Sequence, residues 1–133
     1  MILALHRATH ATLHALTTTL ADLDLPAADI NALANLVEGT GQTVGALATA
    51  TATRPSTLTS LLDRLTRRGY LVRETDPADR RSFVVRLTPD GLAVAQRAAA
   101  AIADLERQAL AATTPAQRAG FQAVIDALTE VSR

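Results

Sequence analysis

The chain has 133 residues and a formal net charge of zero, the size of one ordinary domain with room for a real core. Apolar residues make up 48% but aromatics only 2%, so the core must be built from Leu, Val, Ile and Ala. Cysteine is absent, which excludes disulfides, thiolate metal sites and cysteine redox sensing. No apolar run is long enough to span a bilayer. The opening MILALHRATH lacks a sustained apolar region and a cleavage site, so it does not read as a signal peptide and a cytoplasmic location is expected.

Residues 1 to about 21 read as a helix, with Ile2, Leu5, Thr9, Leu13, Leu16 and Leu20 in one stripe. Pro26 breaks this pattern and opens a second helix whose expected buried face is Ile30, Leu33, Ala34 and Val37. Gly39-Thr-Gly41 ends it, and Thr43 caps a short helix with Val44, Leu47 and Ala48 inward. Thr53-Arg-Pro-Ser opens the fourth helix. Its Leu58, Leu61, Leu62 and Leu65 share one face, and Ser56, Thr59, Ser60, Asp63 and Arg67 the other, with Thr57 and Arg64 at the flank. Gly69 suits the position just past its end.

Two strands follow, 70–75 and 83–87, the second with Phe83, Val85 and Leu87 on one side. Asp76-Pro77-Ala78-Asp79 between them is turn chemistry. Thr88-Pro89 starts a long Ala-rich helix running to about residue 112, with Val94, Ala98, Ala101, Ile102, Leu105 and Ala109 as its stripe. Thr114-Pro-Ala-Gln117 is a capping box before a last helix, expected to bury Phe121, Val124, Ile125, Leu128 and Val131.

Zero net charge argues against nucleic acid only until its distribution is read. Between Arg54 and Thr88 stand eight arginines and four acids, leaving +4 there and −4 elsewhere. Phosphate attraction depends on the local field, so this segment can bind DNA in a neutral protein. Helix, strand, wing, strand is the order of a winged helix-turn-helix, with one helix in the major groove and a basic hairpin tip beside it. The expected fold class is mainly α with a small β-hairpin wing, flanked by N- and C-terminal dimerisation helices.

The residues LLDRLTRRGYLVRETDPADRRSFVVRLTPDG, 61 to 91, resemble the multiple-antibiotic-resistance-regulator (MarR) family. The shared marks are Asp-Arg-Leu near the helix end, the Gly before the first strand, and the wing Asp79-x-Arg81 followed by Val-x-Leu-Thr. Residues 25 to 48 match the two preceding helices more loosely. The resemblance covers essentially the whole chain as a single domain, 1–133, with a DNA-binding lobe at about 27–88 and dimerisation helices at about 1–21 and 89–131. It implies a homodimeric regulator of transcription, often a repressor on a pseudo-palindromic operator, released by a small-molecule effector. It places the effector pocket between the lobe and the dimer helices; nothing in the residues identifies the ligand, and no cofactor is implied.

Arg54, Ser56, Thr57, Thr59, Ser60, Arg64, Arg80 and Arg81 are the candidate DNA-binding residues. Hydroxyls and a helix N-terminus can meet phosphates or base edges; the plain alternative is a solvated helix face. Family members often carry a basic residue where Ser60 stands, which weakens the expectation of base readout there. The resemblance puts Arg81 in the minor groove, where a narrow groove attracts guanidinium. The alternative is that it only braces the hairpin through Asp79. Asp63 and Asp79 are expected to support the wing, Asp63 by pairing with Arg81 or Arg67. Arg67, Arg68, Arg73 and Arg86 are expected to touch phosphate or water.

His6, His10 and His14 lie on one side of the first helix at i, i+4, i+8. Such pairs can chelate Zn²⁺, but no acid or Cys shares that helix, and polar residues beside a dimer seam are the expected reading. No catalytic motif is present, so an enzyme is not expected. The competing function is a helical dimer whose winged helix binds a protein partner. Steep salt dependence separates DNA from that alternative.

Overall fold

Leucine spacing in the fourth helix fixes the centre of the fold. The computed structural model describes residues 1–37 and 41–131. Helices α1 (Ile2–Thr19), α2 (Ala27–Asn35), α3 (Val44–Ala50) and α4 (Pro55–Arg67) come first, with strand β1 (Gln42–Thr43) ahead of α3. Strands β2 (Leu71–Thr75) and β3 (Phe83–Leu87) follow, then α5 (Pro89–Leu110) and α6 (Pro115–Val131). The chain divides into two compact units, Met1–Ile102 and Ala103–Arg133.

In the first unit Leu58, Leu61, Leu62 and Leu65 of α4 are 0–2% exposed. They pack in one cluster with Leu23, Leu25, Ile30, Leu33, Leu47, Leu71, Val85, Ala95 and Ala98. Burying each of those leucines contributes about 1.5–3 kcal/mol relative to leaving it in water. Pro55 sits at the first helical position of α4. Its end is closed by Gly69 at φ +77°, where the Gly69 and Tyr70 amides donate to the Thr66 and Leu65 carbonyls at 2.9 and 3.0 Å. That pair of bonds is a Schellman closure, and the left-handed φ is why glycine suits the position. Thr43 caps α3 as its sequence predicts, its hydroxyl accepting from the Ala46 amide at 3.1 Å.

The sheet has three strands in the order β1-β3-β2, all antiparallel. Thr75 pairs with Phe83 at the wing end and Leu71 with Leu87 at the other. Strand β1 pairs Gln42 with Val85; at two residues it is too short for any alternation to announce it. Phe83, Val85 and Leu87 share one side of β3, as alternation along a strand requires, and Val85 and Leu87 meet the core cluster. Burial differs along that side: Val85 is fully buried, while Phe83, at the open wing end, is 54% exposed.

A short 3₁₀ turn, Ala21–Leu23, joins α1 to α2 and was not foreseen. Helix α2 ends at Asn35, with Val37 half-buried beyond it. Of the expected terminator, Gly39 and Thr40 lie outside the described residues; Gly41 has φ +73°.

Thr88 and Gly91 join the sheet to α5. The Thr88 amide donates to the Tyr70 carbonyl at 3.0 Å and its hydroxyl to the Gly69 carbonyl at 2.6 Å. That hydroxyl also accepts from the Gly91 amide at 3.0 Å, capping α5. A Cβ at Gly91 would lie 1.9 Å from the Tyr70 carbonyl oxygen, so no side chain fits there.

In the second unit the Thr114 capping box forms as expected, with the Gln117 side chain accepting from the Thr114 amide at 2.8 Å. The expected burial of the last helix does not occur within the chain. No residue of α6 is buried, and Phe121, Val124 and Val131 are 58%, 40% and 82% exposed. The 103–133 unit holds too little chain to cover that stripe. Helix α1 likewise buries no residue along its length.

Candidate nucleic-acid interface

The outer face of α4 and the hairpin beyond it carry the predicted site. Ser56, Thr57, Thr59 and Ser60 are all exposed. The Thr59 hydroxyl donates back to the Pro55 carbonyl at 2.9 Å and the Ser60 hydroxyl to the Ser56 carbonyl at 3.4 Å. Their oxygens remain available as acceptors, and rotation about one bond turns each O–H outward. Arg54 is the N-cap of α4 and makes no side-chain capping bond.

The wing, residues 76–82, is ordered by its own short side chains. The Asp76 carboxylate accepts from the Ala78 amide at 2.9 Å and from the Ser82 hydroxyl at 3.2 Å. The Asp79 carboxylate accepts from the Arg81 amide at 3.0 Å, and its carbonyl from the Ser82 amide at 2.9 Å. These are two successive Asx turns. Asp79 therefore supports the wing through the Arg81 backbone, which leaves the Arg81 side chain exposed.

Eight arginines of the basic segment separate into two sets. Among the described residues, Arg54, Arg67, Arg80 and Arg81 are exposed and have no ion-pair partner. The other four are engaged. Arg64 donates Nε and Nη2 to the two carboxylate oxygens of Asp29 at 2.8 and 2.6 Å. Those bonds hold its guanidinium above the ordinary arginine range. Arg68 donates to the backbone carbonyls of Asp24 and Leu23 at 2.6 and 2.8 Å and lies over the Tyr70 ring, 5.6 Å from its centre. Arg73 pairs with Asp63 at 2.7 Å and Arg86 with Glu74 at 2.7 Å.

This sorting corrects several expectations. Asp63 pairs with Arg73, not with Arg81 or Arg67, because β2 follows α4 directly and brings Arg73 against it. Arg64 forks Asp29 through Nε and Nη2, although its side chain stays 41% exposed. Arg68, Arg73 and Arg86 each have a protein partner as well. The missed partner is Asp29, fully buried. Its signal was available, since it lies one residue before Ile30 on a face otherwise apolar. A carboxylate there requires a cation or hydrogen-bond donors.

His6, His10 and His14 are exposed on α1. Among the described residues no group of three or more His, Asp or Glu side chains is placed to hold a metal ion. No described helix is long and apolar enough to cross a membrane.

Residues 23–82, the stretch holding α2 to the wing, match the family model described as MarR family. Over those residues the chain is similar to the MarR family. Among curated relatives, the multiple antibiotic resistance protein MarR of Salmonella typhimurium is 45% identical over 40 residues, 30% of this chain. That match spans 28% of the relative's own length. Among solved structures, a MarR-family transcriptional regulator from Silicibacter pomeroyi superposes with a TM-score of 0.80 at 29% identity, over 98% of this chain and 88% of that one. BpsR of Bordetella bronchiseptica, described by the regulation of its DNA binding by 6-hydroxynicotinic acid, gives 0.80 at 26% identity, over 97% and 92%. The likeness in fold thus extends over nearly the whole chain, and the family model covers α2 to the wing.

Proposed function

We propose that this protein is a member of the MarR family and a sequence-specific double-stranded DNA-binding regulator of transcription, a repressor that binds a pseudo-palindromic operator as a homodimer and is released by a small molecule. The observation that carries this reading is the division of the arginines. Those that the fold does not use stand at the start of α4, on its outer face and at the wing tip. Those are the places where a winged helix meets major groove, backbone and minor groove. In this reading Ser56, Thr57, Thr59 and Ser60 face the major groove, Arg54 and Arg67 meet phosphate, and Arg80 and Arg81 enter or flank the minor groove. Family likeness to BpsR supports effector control, with a ligand of unassigned identity. The apolar stripes of α1 and α6, only partly covered, support a two-fold dimer, which would set two recognition helices about one helical turn, roughly 34–36 Å, apart.

The test is fluorescence anisotropy on a duplex that the protein enriches from a random pool, against a scrambled duplex, at two salt concentrations. Tight, sequence-preferring binding that weakens steeply with salt is expected. Equal, salt-insensitive binding to both duplexes would reject this function and favour a protein partner.

A further inference from the structure

Three guanidinium groups from two helices close on one stretch of chain, Asp22–Asp29. Arg64 of α4 forks the Asp29 carboxylate at 2.6 and 2.8 Å. Arg68, the C-cap of α4 one turn further on, grips the Leu23 and Asp24 carbonyls at 2.8 and 2.6 Å. Arg97 of α5 forks Asp22 with two bonds of 2.9 Å. The stretch itself holds the 3₁₀ turn, a left-handed Asp24 at φ 49° and the first turn of α2. Among the described residues, Asp29 is the buried charged side chain, at 0% exposure in an otherwise apolar core.

A leucine at position 29 would serve that core at least as well, since burying a carboxylate is costly even when it is paired. What the ion pair adds is direction. Hydrophobic contacts are non-directional, so the α4 leucines hold the helix down but leave its roll and axial slide loosely set. A forked carboxylate–guanidinium pair fixes both distance and rotation. With Arg64 and Arg68 one turn apart, two points of attachment set the helix against the α1–α2 joint. The free groups of α4, from Ser56 to Ser60, lie on the same rigid helix.

We propose that Asp29 is a positioning residue which, acting through Arg64, sets the roll and axial position of α4 and so determines discrimination among DNA sequences more than overall affinity. This rests on the DNA-binding reading above. Base-edge hydrogen bonds weaken steeply with misalignment and tolerate displacements of only about 0.5 Å. Phosphate attraction is long-ranged and carries no sequence information. A helix rolled a little out of register keeps the second and loses the first.

The experiment uses the full chain, the enriched duplex and the scrambled one. Asp29→Asn is expected to weaken binding to the enriched duplex at least tenfold. Binding to the scrambled duplex should stay within twofold or tighten, because Arg64, its side chain 41% exposed, then adds an unpaired positive charge beside the DNA face. The double variant Asp29→Leu/Arg64→Met provides a stable packed replacement. It should restore the melting temperature to near the parent value and still lose at least fivefold in the ratio of the two affinities. An unchanged ratio in either variant overturns the inference and leaves the DNA reading intact. A parallel fall in both affinities, together with the melting temperature, overturns it as well, since that is all a purely structural pair would do. If the parent protein enriches no sequence, the DNA reading fails and the inference with it.

Discussion

Helices α4 and α6 are both amphipathic, yet one is finished by its own chain and the other is not. The α4 leucines are almost wholly buried, while α6 buries nothing and leaves Phe121 and Val131 largely in water. Both sequences carry an apolar stripe at helical spacing. A stripe therefore tells which face wants burial but not what covers it: another part of the same core for α4, and in the proposed dimer a second chain for α6. Stability and association should accordingly respond to different residues.

Leu62→Ala is the severest way to break the lobe. It opens a cavity in a fully buried site and should cost about 3 kcal/mol or more, read as a lowered denaturation midpoint. Gly91→Ala comes next. A Cβ 1.9 Å from the Tyr70 oxygen forces the backbone apart, at about 1–3 kcal/mol, and thermal unfolding would show it; a neutral result would mean that the α5 start shifts without strain. Arg81→Ala touches neither core. It should leave the melting temperature unchanged and weaken binding to the enriched duplex more than tenfold, hence more than about 1.4 kcal/mol. Wild-type affinity would remove the wing tip from the mechanism.

Phe121→Ser sharpens the contrast from the other side. It should leave the lobe's fold intact and shift the dimer–monomer equilibrium toward monomer by about tenfold, seen by sedimentation at micromolar protein; an unchanged distribution would take α6 out of the dimer. The smallest effect is expected at Asp22. Hydrogen bonds from Arg97 hold its carboxyl below its ordinary value of 3.8. Its contribution to stability is therefore present above about pH 3.8 and is lost as pH falls through the lower folded-state value. Asp22→Asn should slightly flatten the acid limb of melting temperature against pH, and no more, because the pair is solvent-exposed.

Much of the lobe was legible because its signals are local. The leucine spacing of α4, Gly69 past its end, Thr43 and Thr114 as caps and the Asp-rich turn each act over four or five residues, and each appears where its chemistry puts it. What escaped depends on pairing between distant positions. Strand β1 exists because Gln42 and Thr43 meet Val85 and Val84, and nothing in two residues says so. The ion pairs escaped for the same reason: Asp29 and Arg64 are 35 residues apart, and Arg73 outcompetes Arg81 for Asp63 only once β2 has turned back along α4. Counting arginines located the basic segment, but deciding which are spoken for required the fold.

The absent Cβ at Gly91 has a mechanical consequence. With its backbone pressed against the Tyr70 carbonyl, and Thr88 bonded to both Gly69 and Tyr70, the first turn of α5 is tied directly to the residues that close α4. In the proposed regulator, a displacement at the root of α5 would reach α4 through this joint, like a crank keyed to its shaft.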